Sequence, residues 1–94
     1  MEIGFYDERE FDKWLTALAP EPRDLVLAKL LLLREHGIAI GMPLVRRITA
    51  GLHELRVGGN RVYFTQAGDT IHVLTQGRKD TQARDIERAR RRMS

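Results

Sequence analysis

Apolar positions along the chain change their spacing several times, and each change marks an element. Met1, Ile3 and Phe5 alternate, the period of a short strand, although Gly4 weakens it. Phe11, Trp14, Leu15 and Leu18 then fall at i, i+3, i+4 and i+7, one face of a helix over residues 8–18, with Glu8, Glu10, Asp12 and Lys13 on the wet side. Asp7 is placed to cap that helix, and Glu10 stands in the capping-box position. Ala19-Pro20-Glu21-Pro22 ends it, because proline disfavours helix in the residue before it. A second helix is expected from Pro22 to His36, with Asp24 near its positive end and Gly37 as its stop. Its apolar residues between Leu25 and Leu33 cover more than the roughly 100° stripe a surface helix needs. We read it as sandwiched between the first helix and a sheet, a partner-binding face being the other explanation.

Pro43 closes a loop over His36–Met42, and Leu44–Ile48 reads as a short strand or irregular edge whose neighbours Arg46 and Arg47 point to opposite faces. Leu52–Val57, Arg61–Gln66 and Thr70–Gln76 then alternate with period two, separated by Gly58-Gly59-Asn60 and Ala67-Gly68-Asp69. Glycine and Asn or Asp tolerate the positive φ of tight hairpins, so these strands form an antiparallel meander. Alternation groups Leu52, Glu54 and Arg56 against His53, Leu55 and Val57. It groups Arg61, Tyr63 and Thr65 against Val62 and Phe64, and Ile71, Val73 and Thr75 against His72, Leu74 and Gln76. One face is expected to be core; the other is mixed and polar, collecting Glu54, Arg56, Arg61 and Tyr63 or His72. Gly77 is expected to break the sheet and Asp80 or Thr81 to cap a last helix over 81–93. That helix has Ala83, Ile86, Ala89/Arg90 and Met93 as a thin inner stripe, with Arg84, Arg88, Arg91 and Arg92 outside. The pattern is α+β: two N-terminal helices on an antiparallel sheet of about four strands, closed by a short basic helix.

Ninety-four residues make one domain, and the absence of cysteine excludes disulfides and thiolate metal sites. The start MEIGFYDERE lacks the apolar core of a signal peptide, and the run Leu30–Leu33 is far short of the roughly 20 residues of a membrane span. A soluble, cytoplasmic protein with no membrane partner is expected. The net charge of +3 hides an asymmetry: residues 1–40 carry five Lys/Arg against eight Asp/Glu, and residues 41–94 carry eleven against five. A positive field gathered in the half with the sheet and last helix suits a polyanion such as RNA or DNA, or serves solubility alone.

Cleaving RNA without a metal needs a base for the 2′-hydroxyl, a cation for the charge growing on phosphate, and an acid for the leaving 5′-oxygen. Guanidinium groups suit the second role and a carboxylate or imidazole the first. Glu54, Arg56, Arg61 and Lys79 form the candidate cluster, with Arg78, His53 and Gln82 near in sequence. Glu54 and Arg56 also suit a plain surface ion pair, Arg61 a solvated turn residue, His53 a core-facing ring, and Tyr63 and Phe64 sheet packing. The histidines at 36, 53 and 72 lack ligand spacing, so neither a metal nor a cofactor is expected.

Glu54-Leu55-Arg56, then Gly59-Asn60-Arg61-Val62-Tyr63-Phe64, then Gly77-Arg78-Lys79-Asp80-Thr81-Gln82 resemble, in order and spacing, the RelE/ParE toxin superfamily, and within it the HigB-like "addiction module killer protein" branch. The resemblance implies the toxin of a type II toxin–antitoxin system and a ribosome-dependent mRNA endoribonuclease that inhibits translation. Alternatives within the same fold are a ParE-like toxin that poisons DNA gyrase without a nuclease site, and a non-enzymatic module acting with its antitoxin as autorepressor. Arg61 matches the arginine that contacts the scissile phosphate, and Lys79 lies at or beside a second basic residue that holds it. Arg56, Arg78, Gln82, Arg84 and Arg88 then position RNA. Family members with a well-defined nuclease site carry tyrosine or histidine near the start of the last helix, where this chain reads Thr81-Gln82-Ala83-Arg84-Asp85. Glu54 or Asp85 is left as base and Lys79 as acid. The implied partners are a helix-turn-helix, HigA-like antitoxin, mRNA and the ribosome, with DNA met only through the antitoxin complex. Arg61→Ala is expected to abolish toxicity with the fold intact.

Overall fold

The computed structural model describes residues 1–93. In chain order the elements are β1 (Glu2–Phe5), α1 (Glu8–Ala17), α2 (Pro20–His36), β2 (Val45–Thr49), β3 (Leu52–Val57), β4 (Asn60–Ala67), β5 (Thr70–Arg78) and α3 (Gln82–Met93), with short 3₁₀ turns at Gly37–Ile40 and Lys79–Thr81. Asp7 caps α1 by accepting from the Glu10 N–H at 3.0 Å. The reciprocal half of the capping box is absent, because the Glu10 side chain is drawn across the molecule instead. α2 begins at Pro20 rather than Pro22, and Gly37 stops it with φ 61° and its N–H on the Leu33 carbonyl.

All strands join one sheet in the order β1-β5-β4-β3-β2. The expected meander is present, with two-residue turns in which Gly58 (φ 59°) and Gly68 (φ 57°) supply the positive φ. The sheet has five strands rather than four and is mixed: β1 lies parallel to β5, from Glu2 opposite Thr70 to Phe5 opposite Val73. Alternation tells which way each side chain points and is silent on the direction of the neighbouring strand, so the parallel edge was not legible. β2 is a true strand, and its bulge at Ile48 sits between the pairs Arg47–His53 and Thr49–Leu52.

Both faces of the sheet are covered. On one, Phe11 and Leu15 of α1 and Val26, Leu30 and Leu33 of α2 pack with Val45, Leu55, Val57, Val62, Phe64, Ile71 and Val73. The two helices reach the sheet side by side, so the expected sandwich of α2 is not formed. Its surplus leucines, Leu25, Leu27 and Leu31, remain 45%, 42% and 54% exposed. On the other face, α3 lays Ala89 and Ile86 over Leu52, Tyr63, Leu74 and Ile48. The face read as mixed and polar is therefore a second, smaller core. Its Glu54 and Arg61 are enclosed rather than wet, while Arg56 stays partly exposed. A bulge on β5 contributes: Tyr63 pairs with Thr75 but Phe64 pairs with Val73, leaving Leu74 free to turn toward α3. Thr75 consequently joins Tyr63, not Val73. The whole is α+β and RelE-like in arrangement. No helix among the described residues is long and apolar enough to cross a membrane.

Candidate functional site

Beneath the first turn of α3 lies a knot of polar side chains sealed from solvent. Glu54, on β3 between β4 and the edge strand β2, is 0% exposed, and Arg61, the second residue of β4, is 6% exposed. Arg61 Nε lies 3.4 Å from Glu54 Oε1, and Gln82 Nε2 donates to that same oxygen at 2.7 Å. Arg46, opposite Glu54 on β2, brings Nε to 3.8 Å from Oε2 from the exposed rim. Arg61 Nη1 donates to the carbonyls of Gly58 at 2.7 Å and Asn60 at 2.9 Å, folding the guanidinium back onto its own hairpin. Taking a carboxylate fully out of water costs several kcal/mol unless it is paired, so this ion pair is a condition of closing α3 on the sheet.

A second carboxylate, Asp85, enters the same space from α3 and is 1% exposed. The Thr81 hydroxyl donates to its Oδ2 at 2.6 Å. Asp85 Oδ2 occupies the place that a Cβ on Gly77 would need, which explains the glycine: β5 does not break there but continues to Arg78. Between the two carboxylates sits Tyr63. Burial pushes its phenol far above the ordinary range, with the charges of Glu54 and Asp85 adding to the effect and Arg61 and Arg46 opposing it. Glu54 Oε2, Arg61 Nε, the Tyr63 hydroxyl, Thr75 Oγ1 and Asp85 Oδ1 are buried without a hydrogen-bond partner among the described residues. Proteins rarely leave so many polar atoms unsatisfied within one small volume.

Outside the knot the cations divide into separate places. Arg78, Arg84 and Arg88 line one groove, of about 630 Å³, along the end of β5 between α1 and α3. Arg56 lies apart, in a depression with Lys29, Pro43, Leu44 and Gly58. Lys79 is exposed in the turn before α3, where its backbone N–H donates to Gly59 at 2.9 Å. The structure thus joins Glu54, Arg61 and Gln82 directly, and joins Arg78, Arg84 and Arg88 in the groove; it leaves Lys79 and Arg56 outside both sets. His53 takes the core-facing role, stacked on Phe64 at 5.7 Å, and burial together with the charge of Arg47 lowers its pKa. Among the described residues no group of His, Asp or Glu is arranged to hold a metal ion.

One feature escaped the sequence altogether. Arg92, expected on the outer side of α3, turns inward and grips Glu10 of α1 with Nη1 to Oε2 at 2.7 Å and Nη2 to Oε1 at 3.0 Å. It also donates to the Leu74 carbonyl at 2.8 Å and lies 4.6 Å above the Tyr6 ring. That bidentate hydrogen bond, opposed in part by desolvation, holds the Glu10 carboxyl below its usual range. The partners stand 82 positions apart, and helical periodicity carries no signal for such a pair. Asp85 left a faint one, since Thr81 and Asp85 are spaced i, i+4 after a glycine.

No curated protein matches the chain. A protein-family model does match, over residues 13–94, and it describes the phage-derived protein Gp49-like family (DUF891). The match takes in α2, the whole meander with its buried Glu54–Arg61 knot, and α3. The chain belongs to this Gp49-like family, a RelE/HigB-type toxin-like family of toxin–antitoxin modules.

Proposed function

We propose that this protein is a toxin of the HigB-like branch that cuts mRNA on the translating ribosome without a metal or cofactor. The observation that carries the reading is the sealed knot of Glu54, Arg61, Tyr63 and Asp85 directly beneath a basic helix. Charged and polar groups left unsatisfied in a small core are costly for folding alone and are found where a reaction needs them. In this reading the first turn of α3 moves off the knot to admit RNA. Arg61 then neutralises charge on the scissile phosphate, Lys79 gives a proton to the departing 5′-oxygen, and Glu54 takes the 2′-hydroxyl proton, with Asp85 the other candidate base. Arg78, Arg84 and Arg88 hold the flanking strand through salt-sensitive phosphate contacts. Arg56 and Gln82 position RNA, and Gln82 must exchange its bond to Glu54 to do so. The partner that silences the toxin is a helix-turn-helix, HigA-like antitoxin, and DNA is met only through that complex.

The burial of Glu54 changes how this is tested. Arg61→Ala should destabilise the fold, because it strands a carboxylate in the core at a cost of roughly 3–5 kcal/mol. The useful variants are exposed Lys79→Ala and the charge-balanced double substitution Glu54→Gln/Arg61→Gln. Expression of the protein alone, followed by mapping of mRNA 5′ ends, should reveal cuts inside translated reading frames that both variants lose. Growth arrest with intact mRNA would instead point to gyrase, and normal growth to an autorepressing module; either result ends the nuclease reading.

A further inference from the structure

β1 pairs with β5 only from Thr70 to Val73, so the Leu74–Arg78 half of β5, paired with β4 on one side, has no strand on the other. α1 and α3 stand on either side of that open edge, and between them runs the groove of about 630 Å³. Its α3 wall is Arg84 and Arg88, its floor ends at Arg78, and its α1 wall is Lys13 and Trp14. Trp14 is the only tryptophan of the chain and is half-buried: its ring leans on Phe11 at 5.6 Å and still lines the groove. Lys13, Arg78 and Arg84 are exposed. Two acids face the same space. Glu10 is neutralised by Arg92, the buried Asp85 carboxylate pairs with Arg84 Nε at 3.5 Å, and Asp80 is left against Lys13, Arg78 and Arg88.

We infer that this groove is a second wall of the RNA site, in which one unpaired base stacks on Trp14 while its flanking phosphates lie between Lys13 and the Arg84–Arg88 side of α3. The inference rests on the RNA-directed reading above and deepens it, since it names a single-stranded segment as the occupant. An aromatic face within a cationic groove is the physical signature of single-strand binding: every base offers a π-face, and each phosphate needs a cation. A duplex hides its base faces and cannot use Trp14. The same groove filled by an acidic peptide would use the cations and gain little from the indole plane.

The single tryptophan makes the test direct. Titration with a short single-stranded 2′-O-methyl RNA, which cannot be cleaved through its 2′-hydroxyl, should quench Trp14 fluorescence saturably. The same sequence as a duplex should quench far less. With a labelled strand followed by anisotropy, Trp14→Leu should weaken binding about tenfold and Trp14→Phe should restore most of it. Lys13→Glu, on the exposed face of α1, should weaken binding and flatten its salt dependence, and this variant keeps the test decisive should Trp14→Leu melt below the assay temperature. An acidic peptide that quenches as strongly as the RNA overturns the inference, as does single-strand affinity indifferent to Trp14→Leu and Lys13→Glu. The two readings fail separately. Binding with these signatures beside intact cellular mRNA sinks the nuclease and keeps the groove; mRNA cuts with binding indifferent to Trp14 and Lys13 do the reverse.

Discussion

Gly77 shows how much a single residue can carry. A glycine after a run of strand residues reads as a break, yet here the backbone stays extended and the missing Cβ makes room for the Asp85 carboxylate. Gly77→Ala should therefore destabilise the protein by about 1–3 kcal/mol, measured by denaturant unfolding, because Asp85 has no free direction in which to retreat. Tyr63 and His53 bracket stability from opposite sides of the pH scale. Burial raises the Tyr63 pKa, so the folded chain prefers the protonated phenol; the stability this confers is complete below about 10 and is lost as pH rises above it. Native absorbance titration should accordingly show less tyrosinate than two tyrosines give, the rest appearing only on unfolding. Burial lowers the His53 pKa, so its contribution is complete above about 6.5 and is lost as pH falls through that value. Thermal melts across the pH range should peak between these limits.

At the scale of elements, the decisive one is α3. Its arginines suggest a solvated basic helix, and most of them are that, but Asp85 and Ala89 are buried and Arg92 is pulled inward. The Arg92–Glu10 bond ties the last helix to the first across the sheet edge. Arg92→Ala should lower stability by about 1 kcal/mol, and amide exchange should quicken in α3 before it does in β3 and β4. The Glu10 carboxyl, followed by NMR, should titrate higher in that variant, since its pKa is held down chiefly by Arg92. In the parent chain the stability linked to Glu10 is present above the ordinary glutamate pKa and is lost as pH falls through the lowered one. β5 teaches the complementary lesson. Its alternation gave the right faces as far as Val73, and the bulge at Leu74 then moved Thr75 to the other side of the sheet.

For the molecule as a whole, the sheet is covered by α1 and α2 on one face and by α3 on the other, and a buried ion pair stands where an open polar face was expected. Glu54 and Arg61 should behave as a unit in unfolding experiments. Either substitution alone, to alanine, should cost roughly 3–5 kcal/mol, whereas Glu54→Met with Arg61→Leu should recover most of the loss. Recovery no better than the sum of the two single losses would show that the pair is not the structural condition described above. The basic half of the chain is likewise divided by the fold. Arg61 and Arg92 are consumed internally, while Lys13, Arg78, Arg84 and Arg88 face one groove. The groove set should therefore carry the salt dependence of binding the flanking strand.

The sequence by itself determined the elements, their order, both hairpins and the apolar faces of α1 and of the strands that meet in the larger core. These depend on local conformational preference and on hydrophobic period, and both are written in neighbouring residues. The ordered motifs around Glu54, Arg61 and Lys79 also pointed to the toxin family. Tertiary structure alone decided that β1 runs parallel to β5, that α3 covers the second face, that Glu54 and Arg61 are sealed beneath it, and that Glu10 meets Arg92. Each of these joins residues distant in sequence, where no period links the partners. Charge adds to the difficulty, because an arginine reads the same whether it waits in solvent or balances a carboxylate inside the fold.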